Sequence, residues 1–267
     1  VIVDAVLRRF DANRVRIHEG GIRDGLLLSM LEPHAVSTFA TEHAATEDAI
    51  GAVRRFARAC AYEEPHSLHV AGLAGRIFDQ LVPALSPMRA DGEPWFAGDV
   101  PRARQLLEAA AILHDVGYLI NYAAHHKHSY HLILHADLPG WSAREIQVIA
   151  HVARYHRCGQ PKRKHRAFAM LDRADRRLVR ELAGILRIAD GFDRTHTQLI
   201  RDVRLQRDGD DAVLEVTAAH EPSVDLWGAA RKSGLFERAF GLRPRFEWRG
   251  EQTASRAAVE ERSLISA

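Results

Sequence analysis

The chain has 267 residues, of which 46% are hydrophobic and 27% charged, and its formal net charge is only +2. That length can bury a full core in one large domain or up to two smaller ones, and the near-neutral balance excludes a polycation, so any attraction for polyanions must come from local clusters. Two cysteines, Cys60 and Cys158, stand far apart and outside any CxxC spacing, which excludes a disulfide scaffold or a zinc ribbon. They fit reduced thiols in a cytoplasmic protein. No apolar run approaches the ~20 residues of a membrane span, and the N-terminus lacks the basic and apolar regions of a secretory signal. A cytoplasmic protein without a membrane partner is therefore expected. Histidine is the departure: there are 16, and they are bunched. A metal site or an acid–base site would produce such bunching.

In chain order, residues 1–31 read as helix, short strand and helix, with alternation over Arg14–Ile17, a Gly20-Gly21 turn and an apolar Gly25–Leu28. This piece is too short for a core, and the chain opens in mid-segment, as a fragment would. From about Glu47 to His196 the pattern is helical. A helix is predicted over Ala45–Ala61, and another over His66–Leu81, whose apolar stripe is Val70, Leu73, Ala74, Ile77, Phe78 and Leu81. A Pro/Gly/Asp-rich loop spans Pro83–Pro101. Helices follow over Arg102–Leu119, His125–Ala136, Ser142–Tyr155 and Arg176–Arg187, with Ser142 and Glu145 spaced as a capping box. After Thr197, segments 202–207 and 212–217 alternate like two strands around a tight turn at Asp208–Asp211. One amphipathic helix is predicted over Asp225–Phe240, a third strand over Arg245–Trp248, and a frayed tail beyond Gly250. The fold class is mainly α: a helical domain over 45–196 with a small α+β appendage over 197–250.

The chemistry centres on Leu106–Gly117, an apolar helix that runs into an adjacent His114-Asp115 pair and a glycine. Burying both groups is costly without a partner, and a divalent cation takes imidazole nitrogen and carboxylate oxygen together. Adjacent helical residues sit about 100° apart, so both address one ion only near a helix end or from a flank. His66 opens an earlier amphipathic helix, and Asp190 ends a later apolar run. Together they give an H…HD…D set on three helices. His125, His128 and His131 lie at i, i+3 and i+6, although any single histidine here could equally be solvated or capping. That bland role is favoured for His126, His135 and His165.

These residues resemble the HD superfamily of metal-dependent phosphohydrolases, and more closely the C-terminal half of the Ppx/GppA exopolyphosphatase and guanosine pentaphosphate phosphatase family. The resemblance rests on HSLHVAGLAGRIFDQL (66–81), AAILHDVGYLINYAAHHKHSYHLI (110–133), DLPGWSAREIQVIAHVARYHR (137–157) and ILRIADGFDRTH (185–196). LWGAARKSGLFERAFG (226–241) is similar to that family's C-terminal end, and RIHEGGIRDGLLL (16–28) to the close of its actin-like N-terminal phosphatase domain, of which 1–31 would be the remnant. The resemblance implies an HD-domain helical bundle with His66, His114, Asp115 and Asp190 as ligands of a divalent ion (Mn, Fe, Ni, Co or Mg). It adds His128 and His156 as ligands of a second ion. No glycine-rich phosphate cradle occurs before residue 31, so the family's N-terminal polyphosphatase chemistry is not expected of this chain.

Two basic clusters could hold an anion: the loop Pro161–Arg166, and a stripe of Arg173, Arg176, Arg177 and Arg180. Both could equally be solvated faces. No aromatics interleave them, which argues against single-stranded nucleic acid. The expected activity is hydrolysis of a phosphoester or phosphoanhydride of the nucleotide or polyphosphate class. In it Asp115 and the other ligands hold the ion, His128 serves as general acid or second ligand, and Lys127 and Arg194 compensate phosphate charge. The rival is a non-catalytic module that binds polyphosphate or nucleotide. A phosphorylated small molecule or polyphosphate is the expected partner, and a homodimer is a possible assembly.

Overall fold

A computed structural model describes residues 49–157 and 159–250, which fall within one compact unit, Glu47–Ala267. The readings made for 1–31, Cys158 and the tail beyond Gly250 lie outside the described residues. The fold is mainly α with a small α+β appendage. Helices α1 (Ala49–Ala59), α2 (Glu64–Ala84), α3 (Val100–Leu113), α4 (His125–Leu134), α5 (Ala143–Arg154), the single turn α6 (Arg166–Ala169) and α7 (Arg173–Gly191) form the helical part. Strands β1 (Ile200–Asp208) and β2 (Asp211–Ala218), helices α8 (Ser223–Lys232) and α9 (Gly234–Phe240), and strand β3 (Arg243–Gly250) form the appendage. Among the described residues no helix is long and apolar enough to cross a membrane.

The α2 stripe read from the sequence is buried in full, Val70 through Leu81, against α3 and α7. Burial of each large side chain contributes about 1.5–3 kcal/mol, so this one face fixes where the start of α2 lies. Helix α7 is apolar on nearly every side over its second half, and buries Leu182, Ile185, Leu186, Ile188 and Ala189 as the central post of the bundle. Both helices present their functional ends, the start of α2 and the end of α7, to the C-terminus of α3.

Three elements are locked together at one edge. Arg102 of α3 reaches Glu145 Oε1 of α5 at 2.5 Å, donates to the Gly140 carbonyl, and lies 4.3 Å over the Trp141 ring. Trp141 in turn donates to the Ala49 carbonyl at 2.9 Å. The capping box forms as its spacing requires: Ser142 Oγ accepts from Glu145 N–H, and Glu145 Oε2 accepts from Ser142 N–H at 2.8 Å. The Arg102 hydrogen bond, acting against partial burial and helped by the cap, lowers the Glu145 carboxyl to about 2. Because its folded value lies below the unfolded one, this stabilisation is complete above about pH 5 and is lost as pH falls towards 2. Glu145→Gln should therefore cost about 1–2 kcal/mol at pH 7, after allowance for solvent screening. In urea unfolding the gap to wild type should close as the pH is lowered through that window; a gap independent of pH would refute the role.

The sheet order is β1-β2-β3, with β1 antiparallel to β2 and β3 parallel to it. The tight turn passes through Gly209 at φ +57°, a left-handed conformation that favours glycine. The open edge of β1 is covered by α2: Gln80 donates to the Val203 carbonyl and accepts from Leu205 N–H, both at 2.9 Å. That contact blunts an edge that would otherwise pair with another chain. Two predicted helices are corrected. The helix expected over Arg102–Leu119 stops at Leu113, and a separate 3-10 turn covers Val116–Leu119. The helix expected over Asp225–Phe240 is broken at Ser233. There the Lys232 carbonyl accepts from Arg187 Nε at 3.2 Å, and Ser233 Oγ bonds back to the Ala230 carbonyl at 2.9 Å.

Candidate metal centre

His114 caps the end of α3, and Asp115 leaves helical geometry altogether (φ −111°, ψ 6°). This break lets the two adjacent side chains point at one place. Ser129 of α4 holds the turn: its Oγ accepts from Gly117 N–H at 2.9 Å and donates to the His114 carbonyl at 2.7 Å. The backbones approach so closely that a Cβ on Gly117 would lie 2.1 Å from the His125 carbonyl oxygen and 2.4 Å from Ser129 N.

Around Asp115 two clusters share this one carboxylate. In the first, His66 Nε2 lies 3.3 Å from His114 Nε2, Asp115 Oδ2 is 3.9 Å from the former and 3.4 Å from the latter, and Asp190 Oδ1 is 3.9 and 4.0 Å from the two rings. In the second, Asp115 Oδ1 is 3.1 Å from His125 Nε2 and 3.4 Å from His156 Nε2, and those two nitrogens are 3.3 Å apart. All six side chains are buried.

The other ring nitrogens decide what these contacts mean. His114 Nδ1 meets the Ala111 carbonyl at 2.6 Å, His125 Nδ1 the Tyr122 carbonyl at 3.1 Å, and His156 Nδ1 the Ala153 carbonyl at 2.6 Å. Each partner lies three residues back along the chain. His66 Nδ1 meets Asp193 Oδ2 at 2.8 Å. Carbonyls and carboxylates only accept, so each Nδ1 carries the proton and, in a neutral ring, each Nε2 presents a bare lone pair. Four lone pairs thus converge on one carboxylate, with Nε2 atoms paired at hydrogen-bond distance and no proton between them. Asp115 Oδ1, although buried, has no hydrogen bond of good geometry. Such an arrangement is repulsive unless something cationic sits in it, and the donor set suits a divalent ion in each cluster.

The tendencies of His114 and His156 agree with neutral rings. Burial holds His114 and His156 below the usual imidazole range. Burial also opposes the charged form of Asp115, but the imidazoles of His114, His125 and His156 outweigh it and keep the carboxylate ionised. Asp190 is likewise held low against its burial, chiefly by the Lys232 ammonium in contact with it. For His66, burial is outweighed by the Asp193 hydrogen bond and the nearby carboxylates, which raise it.

The structure brings His66, His114, Asp115, Asp190 and His156 together as read from the sequence. It does not bring in His128. The buried face of α4 runs through His125, Ser129 and Ile133, at i, i+4 and i+8, which leaves His128 at its margin and puts His125 in the second cluster. Arg194 is also absent from the centre: it is exposed, with its guanidinium 5.7 Å from the Trp227 ring. Lys127 is exposed and lines a cavity with His126, Arg154 and Arg157 rather than the centre itself. Of the arginine stripe, Arg173 and Arg177 face Asp91 and Glu93, and Arg176 donates to the Ala169 and Leu171 carbonyls. Arg180 lies over Phe168, so the stripe is structural.

Three participants were missed. Asp193 is fully buried and orients His66, while accepting from Gln198 N–H at 2.8 Å. Its position three residues after Asp190, hence on the same side of the helix end, was the available signal. Lys232 reaches Asp190 from the appendage. Arg187 joins the end of α5 to the end of α8 by donating to the Tyr155 and Lys232 carbonyls at 3.2 Å each.

A mainly α domain that gathers four buried histidines and two carboxylates on its helix ends, closed by a small α+β appendage, is the class this fold and site define. Residues 51–226 match Ppx/GppA phosphatase, domain III, and the chain belongs to that family. It is similar to the guanosine-5'-triphosphate,3'-diphosphate pyrophosphatase of Vibrio campbellii, 27% identical over 157 residues that cover 58% of this chain and 27% of the relative. The protein of the same name from Vibrio vulnificus is 30% identical over 119 residues, 44% of this chain and 23% of the relative. That of Pseudoalteromonas translucida is 46% identical over 52 residues, 20% and 10% of the two chains. The chain spans about a quarter of the length of the first of these relatives.

Proposed function

We propose that this domain is an HD-type metal-dependent phosphohydrolase acting on a phosphoester or phosphoanhydride of the nucleotide or polyphosphate class. The observation that carries the reading is the convergence of four Nε2 lone pairs on Asp115. His66, His114, Asp115 and Asp190 would hold one divalent ion, and Asp115, His125 and His156 would hold another. Ions held there would supply Lewis-acid charge and acidify water at neutral pH. Asp193 holds His66 in the tautomer that leaves Nε2 free. Lys232, on Asp190, adds positive charge at the centre, and Lys127, on the adjoining cavity, would meet the distal part of an anionic substrate. Membership in a phosphatase family and the names of its relatives support the substrate class.

The Lys232–Asp190 ion pair also favours a second reading, in which an ammonium takes the place of an ion at Asp190 and the domain only binds phosphate. Metal analysis separates the two. The hydrolase reading expects a transition metal to co-purify, chelation to lower Tm by several degrees, and Mn or Co to restore it, since a ligand bound only by the native state stabilises by mass action. A protein that takes up no metal and whose Tm ignores chelator and added ion would establish the binding module instead.

A further inference from the structure

A separate cavity of about 390 Å³ has Asp115 itself in its wall, together with four flat rings, Tyr62, Tyr118, Tyr122 and His196. The rings stand on the two clusters. His196 stacks on His66, with centroids 3.9 Å apart and planes 7° apart. Tyr118 lies 4.1 Å from His125 and 5.4 Å from Tyr122, the two tyrosines being 22° from parallel. Asp115, which both clusters share, thus has an aromatic wall on each side. Among the described residues no lysine or arginine lines this space, and its carboxylates are Glu63 and Asp115. Both are already engaged: Glu63 Oε2 is 2.8 Å from His196 Nδ1, and Asp115 faces the imidazoles. Two wall residues, Ala61 and His196, hold left-handed backbone at φ +50° and +56°, which residues with a Cβ rarely adopt. Each is pinned by an N–H bond to a carbonyl three residues back, Arg58 at 2.9 Å and Asp193 at 3.1 Å. Tyr122 is 72% exposed, and Leu119 and Ile120 on the same turn are more than half exposed. Exposed apolar surface gathered beside a cavity marks a place that a ligand covers.

We infer that this cavity is a leaving-group pocket, which stacks a planar, uncharged ring system carried by the alcohol part of a phosphate ester whose phosphate reaches Asp115. This rests on the hydrolase reading for the chemistry, but not for the binding. The class it selects is an ester of a ring-bearing alcohol over a purely inorganic chain, because an anion in this space would meet Glu63 and no permanent cation. Rings prefer offset parallel or edge-on contact with centroids about 4.5–7 Å apart, and the near-parallel tyrosines offer flat faces for it. They do not form the enclosing cage of rings that holds a quaternary ammonium. In hydrolysis a water oxygen bonds to phosphorus, and the bond to the ester oxygen breaks with its electron pair on that oxygen. The freed alcohol takes up a proton from solvent at the open mouth, beside Tyr122.

The test is calorimetric binding of phenylphosphonate and cyclohexylphosphonate to the 267-residue chain, with Mn and again with chelator. The two probes share the anion and the carbon count, resist hydrolysis, and differ in the planarity of the ring. Phenylphosphonate should bind about 3–10-fold more tightly, the range of an aromatic pair beyond its area burial. Tyr122→Ala and Tyr118→Ala should each erase that ratio, and Tyr122→Phe should keep it. Tyr122 is exposed, so its variants keep the test valid should Tyr118→Ala fold poorly. Equal affinities for the two probes, no binding of either, or a ratio untouched in both Ala variants would overturn the pocket. So would tighter binding of phosphocholine than of phenylphosphonate in chelator, which would identify a cation site. Ring-selective binding with no turnover of phenyl phosphate under any metal would uphold the pocket and refute the hydrolase. Metal-dependent turnover of phenyl and cyclohexyl phosphate with one KM, unchanged in Tyr122→Ala, would do the reverse.

Discussion

Asp115→Ala is expected to strip the metal from both clusters at once and to abolish turnover, while the helical circular dichroism stays. The reason is position: Asp115 Oδ1 faces His125 and His156, and Oδ2 faces His66 and His114, and among the described residues no other side chain belongs to both groups. Loss of an outer partner of a metal ligand already costs about 10–100-fold in affinity or activity. Loss of the shared ligand should exceed about 10²-fold. Asp193→Asn serves as the graded comparison, because it leaves every proposed ligand in place and removes the charge that orients His66 and accepts from Gln198. It should fall within that 10–100-fold range. Plasma mass spectrometry of the purified variants reads the result directly. An Asp115→Ala protein that keeps a full complement of metal would sink the shared-carboxylate assignment, whatever its activity.

The largest stability effect is expected from Gly117→Ala. A methyl group there would stand 2.1 Å from the His125 carbonyl oxygen and 2.4 Å from Ser129 N, and both are backbone atoms that cannot turn aside. Overpacking a tight contact typically costs about 1–3 kcal/mol and sometimes more. With backbone on both sides, the cost should reach about 3 kcal/mol or exceed it. The same change must move α4 and with it His125, so metal at the second cluster should weaken in parallel. Gly72→Ala is the contrasting case: it sits in α2 with no atom within 4 Å of a new Cβ, and should stabilise by about 0.5–1 kcal/mol through helix propensity. Urea unfolding of the pair settles it; similar midpoints would mean that the turn yields more readily than its contacts indicate.

The parts of the site legible in the sequence are those that local rules place. His66 at a helix start, His114-Asp115 at the end of an apolar helix and Asp190 at the end of another each carry their position in their flanking pattern. The α2 stripe and the Ser142–Glu145 box were legible for the same reason: they depend on spacing within one helix. What escaped depends on tertiary partners. The choice between His125 and His128 turns on which face of α4 is buried, and the spacing of His125, Ser129 and Ile133 could have decided it. The division at Ser233 lies in a run whose apolar spacing continues across it, and it falls where a guanidinium from α7 takes up the Lys232 carbonyl. The arginine stripe carries no local mark of its partners, because Asp91 and Glu93, which face it, are distant in sequence.

The parallel register of β3 on β2 also bears on how the chain reaches this state. Parallel neighbours cannot be joined by a hairpin, so the segment between them must travel back across the sheet, and α8 and α9 are that segment. Contacts closed over long stretches of chain pay their loop entropy before they gain anything, and folds rich in them form slowly. Lys232 rides on this return path. The close seat of α8 on α7, where a Cβ on Gly191 would meet Ala229 Cα at 2.4 Å, is what brings the ammonium to Asp190. The His-Asp turn and its α4 neighbour are assembled from nearby sequence. The charge balance at Asp190 depends instead on the crossover that carries Lys232, so the centre is completed by the part of the chain with the most distant pairings.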